Sequence, residues 1–398
     1  MGFSPLNNLS TDILSLNRTM SPPRNDSEQG EGQDQLFDPL SYKIMVIAFF
    51  SVIFAFGFVG NVSVLGTVLK WKRLRNPCGL LIANIALADL GVALIAAPLR
   101  IADLYLHGWP FGDVLCRLIL PLQDVMVCVS VVTHSTIAFE RYRATVTPFK
   151  ERLSVTKIKF VNVGIWLFCY VFSGLPLAIP LKVQPWKGVL YCFPDWSDLY
   201  RRVYEIYLVL VFIVAQLIIQ SYTYVTIIRT LKRKSDIRIV EVAEKSETLP
   251  SRPSISQPGL TNDSRATCTG ISARVKRKQK LVKMLLVLVV AFQICHLPRG
   301  ITMLYREFVD PSSISPTFNY IDLIALALYY LKHVINPFIL FAMSADFRSG
   351  IVSICAMCCN RREGYREPDS QKSALKRAED FNEQLGEDEE VEEEENKV

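Results

Sequence analysis

The chain is predicted to be an all-α membrane protein, a seven-transmembrane helix bundle with a short amphipathic eighth helix. Three observations predict it. Half of the 398 residues are hydrophobic, with a mean hydropathy of +0.25. Seven apolar stretches, roughly 43–69, 78–104, 114–138, 158–181, 203–228, 281–304 and 320–343, each reach the length of about 20 residues that a helix needs to cross about 30 Å of hydrocarbon. Inside them sit Asn61, Asp89, Asp124, His296, Lys332 and Asn336. An ionisable group at that depth costs at least about 2.5–3.5 kcal/mol, so it signals a function or a partner. Helices are the expected spanning form because each satisfies its backbone hydrogen bonds internally. The alternation expected of membrane barrel strands is absent.

Residues 1–40 are expected to form a flexible outer tail; 1–35 is polar, with Pro5, Pro22 and Pro23 and no apolar core of a signal peptide, so the first span is expected to act as the signal anchor. Basic residues fix the orientation. Lys70, Lys72, Arg73 and Arg75 follow span one. Arg141, Arg143, Lys150 and Arg152 follow span three, and Arg229, Lys232, Arg233 and Lys234 follow span five. These loops are expected to be cytoplasmic. The N-terminus is then extracellular, the C-terminus cytoplasmic, and the protein a multi-pass resident of the plasma membrane. Asn8, Asn17 and Asn25 each begin an Asn-x-Ser/Thr glycosylation acceptor in the outer tail.

The seven-helix domain is expected to run over 41–343. Within it, 235–272 is rich in Ser, Thr, Pro and charge and reads as a disordered cytoplasmic loop open to kinases. At 344–359, Phe347, Ile351 and Ile354 recur at helical spacing opposite Asp346 and Arg348, which suits a helix on the membrane surface. Cys355, Cys358 and Cys359 there are candidates for palmitoylation. The tail 360–398 holds the run 379–395, with 11 of the 38 acidic residues, and reads as disordered and solvated. The net charge of +6 reflects topology and anionic lipid, not nucleic acid. Of ten cysteines, Cys116 and Cys192 alone fall on the expected outer side, where a disulfide persists.

Cys116 and Arg141 bracket the third span, 25 residues or about 38 Å apart as a helix. Glu140-Arg141-Tyr142 then stands at the inner rim. Gly60-Asn61-Val62, Leu87-Ala88-Asp89-Leu90, Trp109-Pro110-Phe111-Gly112 before Cys116, and Trp166 follow one another in order. So do Phe292-Gln-Ile-Cys295-His296-Leu-Pro298 and Asn336-Pro337. This series resembles the rhodopsin-like (class A) G-protein-coupled receptors over most of residues 41–357. The resemblance implies a receptor that binds an extracellular ligand and opens a cytoplasmic cleft to a heterotrimeric G protein. Receptor kinases and arrestin are implied as further partners. Arg141 would meet the G protein after helix six swings outward about Pro298, and Glu140, Tyr142, Tyr224, Phe292, His296, Asn336 and Pro337 would form the switch.

Departures from the pattern carry their own expectations. His296 stands at the usual Trp, Leu340 at the motif Tyr after Asn336-Pro337, and Gln216 at the usual Pro of helix five. Lys332, one turn before Asn336, stands where relatives have Asn or Ser beside a sodium ion. An Asp89–Lys332 ion pair is expected in place of that ion. Gln123, seven residues after Cys116, replaces the Asp of amine receptors, and with Trp109 it resembles neuropeptide receptors of the neuropeptide Y, RFamide and tachykinin groups. An amine or lipid ligand is the alternative.

Arg100, Asp103, Gln123, Asp124, Trp196, Glu205, Arg299, Asp322 and Tyr329 are the expected ligand-binding set. Arg299 is expected to pair with a ligand carboxylate or with Asp124. Opsins place their retinal lysine six residues before Asn-Pro, which here is Tyr330, so Lys332 does not fit a light sensor. The absence of an internal repeat opposes a transporter. No metal-ligand spacing, phosphate loop or nucleophile motif is present. No enzyme, catalytic residue, metal or cofactor is therefore expected.

Overall fold

The structure, a computed structural model, describes residues 39–102, 105–106, 108–147, 153–186, 188–247, 262–309 and 315–360. Among them are eight helices and one hairpin. Helix α1 is Pro39–Lys70, α2 Pro77–Ala102 and α3 Gly112–Val146. Helix α4 runs from Val155 through a π-helical turn, Tyr170–Gly174, to Ala178. Strands β1 (Leu181–Trp186) and β2 (Val189–Pro194) follow. Helix α5 begins at Asp198, passes a π-helical turn at Val209–Val214 and continues to Glu247. Helix α6 is Asn262–Phe308, α7 Pro316–Met343 and α8 Ala345–Asn360. Seven of the described helices are long and apolar enough to cross a membrane. The chain divides after Gly350; the second unit contributes 351–360, the end of α8, and the first contains everything else discussed below.

Local chemistry explains the boundaries. Ser154, Ser197 and Ser315 accept hydrogen bonds from the backbone N–H three residues on and start α4, α5 and α7. Pro316 follows its cap at the first helical position. Gly188, at φ +81, turns the hairpin. In the structure β1 and β2 pair antiparallel with Val183 opposite Cys192.

The helices pack through two long apolar clusters, one around Val92, Val129 and Phe292, the other around Leu81, Ile227 and Leu285. Large side chains such as Phe160 and Ile179 stay on the outside of the bundle, as expected where lipid is the solvent. A Cβ on Gly60 of α1 would lie 2.9 Å from the Pro337 Cβ of α7. Glycine is required there to bring the two backbones together.

The loop read as disordered over 235–272 is entered by helix from both sides, to Glu247 and from Asn262; 248–261 lies outside the described residues. Asn8, Asn17, Asn25, Asp103 and the tail 361–398 also lie outside them. Helix α8 carries Cys355, Cys358 and Cys359 within its span.

Candidate functional site

Helix α3 organises three polar layers. At its Cys116 end the expected disulfide is present: Cys116 joins Cys192 of β2, with Cα atoms 5.7 Å apart. The backbone N–H of Val183 in β1 donates to the Asp113 carboxylate at 3.1 Å. The hairpin is therefore tied to α3 twice. Trp109 is buried against Cys116, Leu177, Leu181 and Tyr204, and the Trp196 ring packs at a tilt against Tyr200 and Tyr204, with centroids 5.3 and 5.6 Å away.

Within this end the charges sort in an unforeseen way. Arg299 of α6 does not take Asp124 as its partner. Its Nη1 lies 2.6 Å from Oδ1 of Asp322 in α7, and Arg306 Nη2 lies 2.9 Å from Oδ2 of the same carboxylate. Asp322 is fully buried. Arg306 also donates to Asn319 at 3.3 Å and stands 5.3 Å over the Phe318 ring. The physical reason is reach. Two guanidiniums, one residue and about two turns beyond Pro298, meet a carboxylate on the adjoining helix, and a carboxylate has lone pairs enough for both. Arg201 bridges α5 to α6 through Glu307 at 3.3 Å.

Asp124 consequently makes no hydrogen bond or ion pair of 4 Å or less among the described residues. Arg100 and Arg299 lie within its electrostatic reach, and Glu205 shares the neighbourhood of Arg299. Tyr329 lies in the same field. Arg100 donates to the Tyr330 hydroxyl at 3.4 Å. The structure thus gathers Arg100, Asp124, Glu205, Arg299, Asp322 and Tyr329 at one end of the bundle. Gln123, beside Asp124 on α3, is partly buried. Trp196 belongs to the neighbouring aromatic cluster beneath the hairpin.

The middle layer corrects a second expectation. Asp89 does not pair with Lys332. His333 Nδ1 stands 2.7 Å from Asp89 Oδ1, and the Asn336 amide donates to Oδ2 at 2.7 Å. Residues 333 and 336 are one turn apart on α7, so together they present two donors to the two oxygens. Lys332, fully buried, instead holds its ammonium over two rings, 4.6 Å from the centre of Phe292 and 5.5 Å from that of Tyr329. An aromatic face is the remaining contact for a cation that keeps only a longer-range attraction to Asp89.

His134, Phe292, His296 and Tyr329 stack in sequence at 4.8, 5.1 and 5.2 Å. The ring at 296 thus fits flat between Phe292 and Tyr329. His333 was missed as a ligand of Asp89. Its three-residue spacing to Asn336 was the available signal, and the rarer charge at Lys332 masked it.

Toward the Arg141 end, Gln216 explains the missing proline of α5. Its Oε1 accepts from Ser135 of α3; Gln220 donates to the same hydroxyl at 2.9 Å, and Gln293 of α6 donates to Gln220 at 2.9 Å. This chain of side chains ties α3, α5 and α6. The π-helical turn at Val209–Val214 supplies the local widening without a proline. Arg141 pairs with Glu140, both side chains nearly buried. Tyr224 and Leu340 are buried nearby in the second apolar cluster.

The sequence of this bundle matches a known family. The model described as "7 transmembrane receptor (rhodopsin family)" matches residues 60–340. Neuropeptide FF receptor 2 of Mus musculus is 27% identical over 343 residues, 80% of this chain and 75% of that protein. Neuromedin-U receptor 2 of Mus musculus is 27% identical over 352 residues, 84% of this chain and 81% of that protein. These relatives are receptors and not enzymes. With the family match covering well over half of its length and seven apolar helices, the chain belongs to the rhodopsin-like seven-transmembrane receptors and resembles their neuropeptide-receptor branch.

Proposed function

We propose that this protein is a plasma-membrane receptor for an extracellular peptide that signals through a heterotrimeric G protein. The observation that carries the ligand side is Asp124. It is a carboxylate inside the bundle, at the end capped by the disulfide-tied hairpin, and Arg299 is already committed to Asp322. A basic side chain or amine of the peptide fits this carboxylate, with Gln123, Glu205 and Tyr329 around it. The names of the two relatives support a peptide over a lipid. The basic loops support an extracellular N-terminus, glycosylated at Asn8, Asn17 and Asn25.

The coupling side rests on Arg141. Outward movement of α6 about Pro298 would free its guanidinium for the G protein, with Tyr142, Tyr224, His296, Asn336 and Pro337 as further parts of the switch. Receptor kinases and arrestin are proposed to follow at the loop between α5 and α6 and at the acidic tail. Palmitoylation of Cys355, Cys358 and Cys359 would hold α8 to the bilayer.

The test is a neuropeptide library screened on cells that carry the receptor and a promiscuous G protein. Peptides with a basic residue are expected among the hits. Asp124→Asn is expected to raise the half-maximal concentration of such a peptide tenfold or more, about 1.4 kcal/mol or above, while leaving surface expression unchanged. Arg141→Ala is expected to retain ligand binding and to lose stimulated nucleotide exchange. Full exchange by properly trafficked Arg141→Ala receptor would overturn the coupling scheme.

A further inference from the structure

A cavity of about 20 Å³ lies between the middle layer and the Arg141 end, lined by residues that include Asn61, His134, Tyr224, Leu288 and Leu340. Most of its wall is hydrocarbon. Besides Asn336, whose amide already donates to Asp89 at 2.7 Å, three lining side chains are polar, and each is at least 98% buried: Asn61 of α1, His134 of α3 and Tyr224 of α5. Each has one polar atom without a hydrogen-bond partner: Asn61 Oδ1, His134 Nε2 and the Tyr224 hydroxyl. A buried polar atom left unsatisfied costs about 1–3 kcal/mol, so three around one cavity call for an explanation.

The hydrogen-bonding roles of the three atoms can be assigned. The Asn61 amide nitrogen donates to the Gly57 carbonyl at 2.8 Å and to the His333 carbonyl at 3.0 Å. Its Oδ1 is therefore an acceptor. His134 Nδ1 faces the Ser130 carbonyl at 2.7 Å and must carry the proton, so a neutral His134 offers Nε2 as an acceptor. Tyr224 offers an O–H donor. One donor and two acceptors complement a single water molecule, which accepts one bond and donates two. A buried water typically makes about three hydrogen bonds and needs about 10–15 Å³. Among the described lining residues there is no carboxylate, so a metal cation would lack its counter-charge.

We infer that this cavity is a binding site for one ordered water, held by the Tyr224 hydroxyl, His134 Nε2 and Asn61 Oδ1, which links α1, α3 and α5 inside the membrane. The site requires His134: an aliphatic or aromatic hydrocarbon there leaves the water two partners. It also requires a side chain as short as Leu340 at the opposite wall.

X-ray hydroxyl-radical footprinting of the full-length receptor in detergent tests this, because radicals formed from a bound water modify the side chains around it. Tyr204 is the internal control. It is 4% exposed, against 2% for Tyr224, but its hydroxyl is satisfied by the Ser173 carbonyl at 2.8 Å. Tyr224 is expected to be modified several-fold faster than Tyr204. His134→Phe, which keeps a ring against Phe292, is expected to bring Tyr224 down to the Tyr204 rate. Leu340→Phe, which fills the cavity and leaves all three polar atoms, is expected to do the same and serves if the first variant does not fold. Equal rates for the two tyrosines in the unaltered receptor, or an unchanged Tyr224 rate in folded Leu340→Phe, would overturn the assignment.

Discussion

Replacing Asp322 with alanine is expected to destabilise the receptor by about 3–5 kcal/mol, the cost of removing one partner of a buried ionic cluster. The carboxylate is fully buried between Arg299 and Arg306. Without it, two guanidiniums repel each other where α6 meets α7. Asp322→Asn is expected to fall between the two, since an amide oxygen still accepts a bond but carries no charge. Arg306→Ala is expected to be milder than either, because one Arg299–Asp322 pair survives and charge balance improves. Thermal midpoints in detergent, with and without a bound peptide, measure all three. A loss for Asp322→Ala no larger than about 1 kcal/mol would place this cluster with solvent-exposed ion pairs and contradict the burial described here.

Lys332→Met is expected to run the other way and to stabilise the receptor, by about 1–3 kcal/mol. Replacing a buried charge with a well-packed apolar side chain of similar volume is often neutral or stabilising. Here the charge makes no contact pair with a carboxylate, since Asp89 is held by His333 and Asn336, and only a longer-range attraction to Asp89 is lost. Against the gain stands the cation–π attraction to Phe292 and Tyr329, worth up to about 2 kcal/mol when desolvated. The sign is diagnostic. A direct Asp89–Lys332 pair would instead make the same substitution cost about 3–5 kcal/mol. His333→Leu is the complementary measurement. It should cost more than Lys332→Met, because it leaves an Asp89 oxygen without its donor. Ligand affinity of the unaltered receptor should be indifferent to sodium, since both Asp89 oxygens already accept bonds from side chains.

Most of the architecture is legible in the sequence, and the reasons are physical. Twenty apolar residues in a row have few fates besides a span, and the disulfide followed from topology, as two cysteines alone fell on the outer side. Helix α8 was legible from spacing. What escaped were choices between similar partners. Asp89 had a lysine and a histidine at adjacent positions on α7, and rotation of about 100° per residue, not charge, decided for His333. Arg299 had Asp124 and Asp322 on different helices, and only tertiary proximity distinguishes them. The hairpin β1–β2 contains Pro185 and a mixed pattern, so its pairing depends on the tie at Cys192. Gln216 looked like a lost proline, yet its carbonyl became one end of a three-helix amide chain. Sequence periodicity places residues on faces; it does not rank the candidates facing them.

The close crossing of Gly60 and Pro337 has one more consequence. Two main chains in contact through a glycine, with the Asn61 amide clasping the His333 carbonyl beside it, cannot slide past each other without breaking that clasp. The first and seventh helices therefore act as a single strut. Because that strut carries both the anion gripped by two arginines near one membrane face and the amide holding Asp89 at mid-depth, a strain applied at the first reaches the second along one helix, and the Asn61 clasp takes up the His333 carbonyl that Pro337 leaves without a backbone donor.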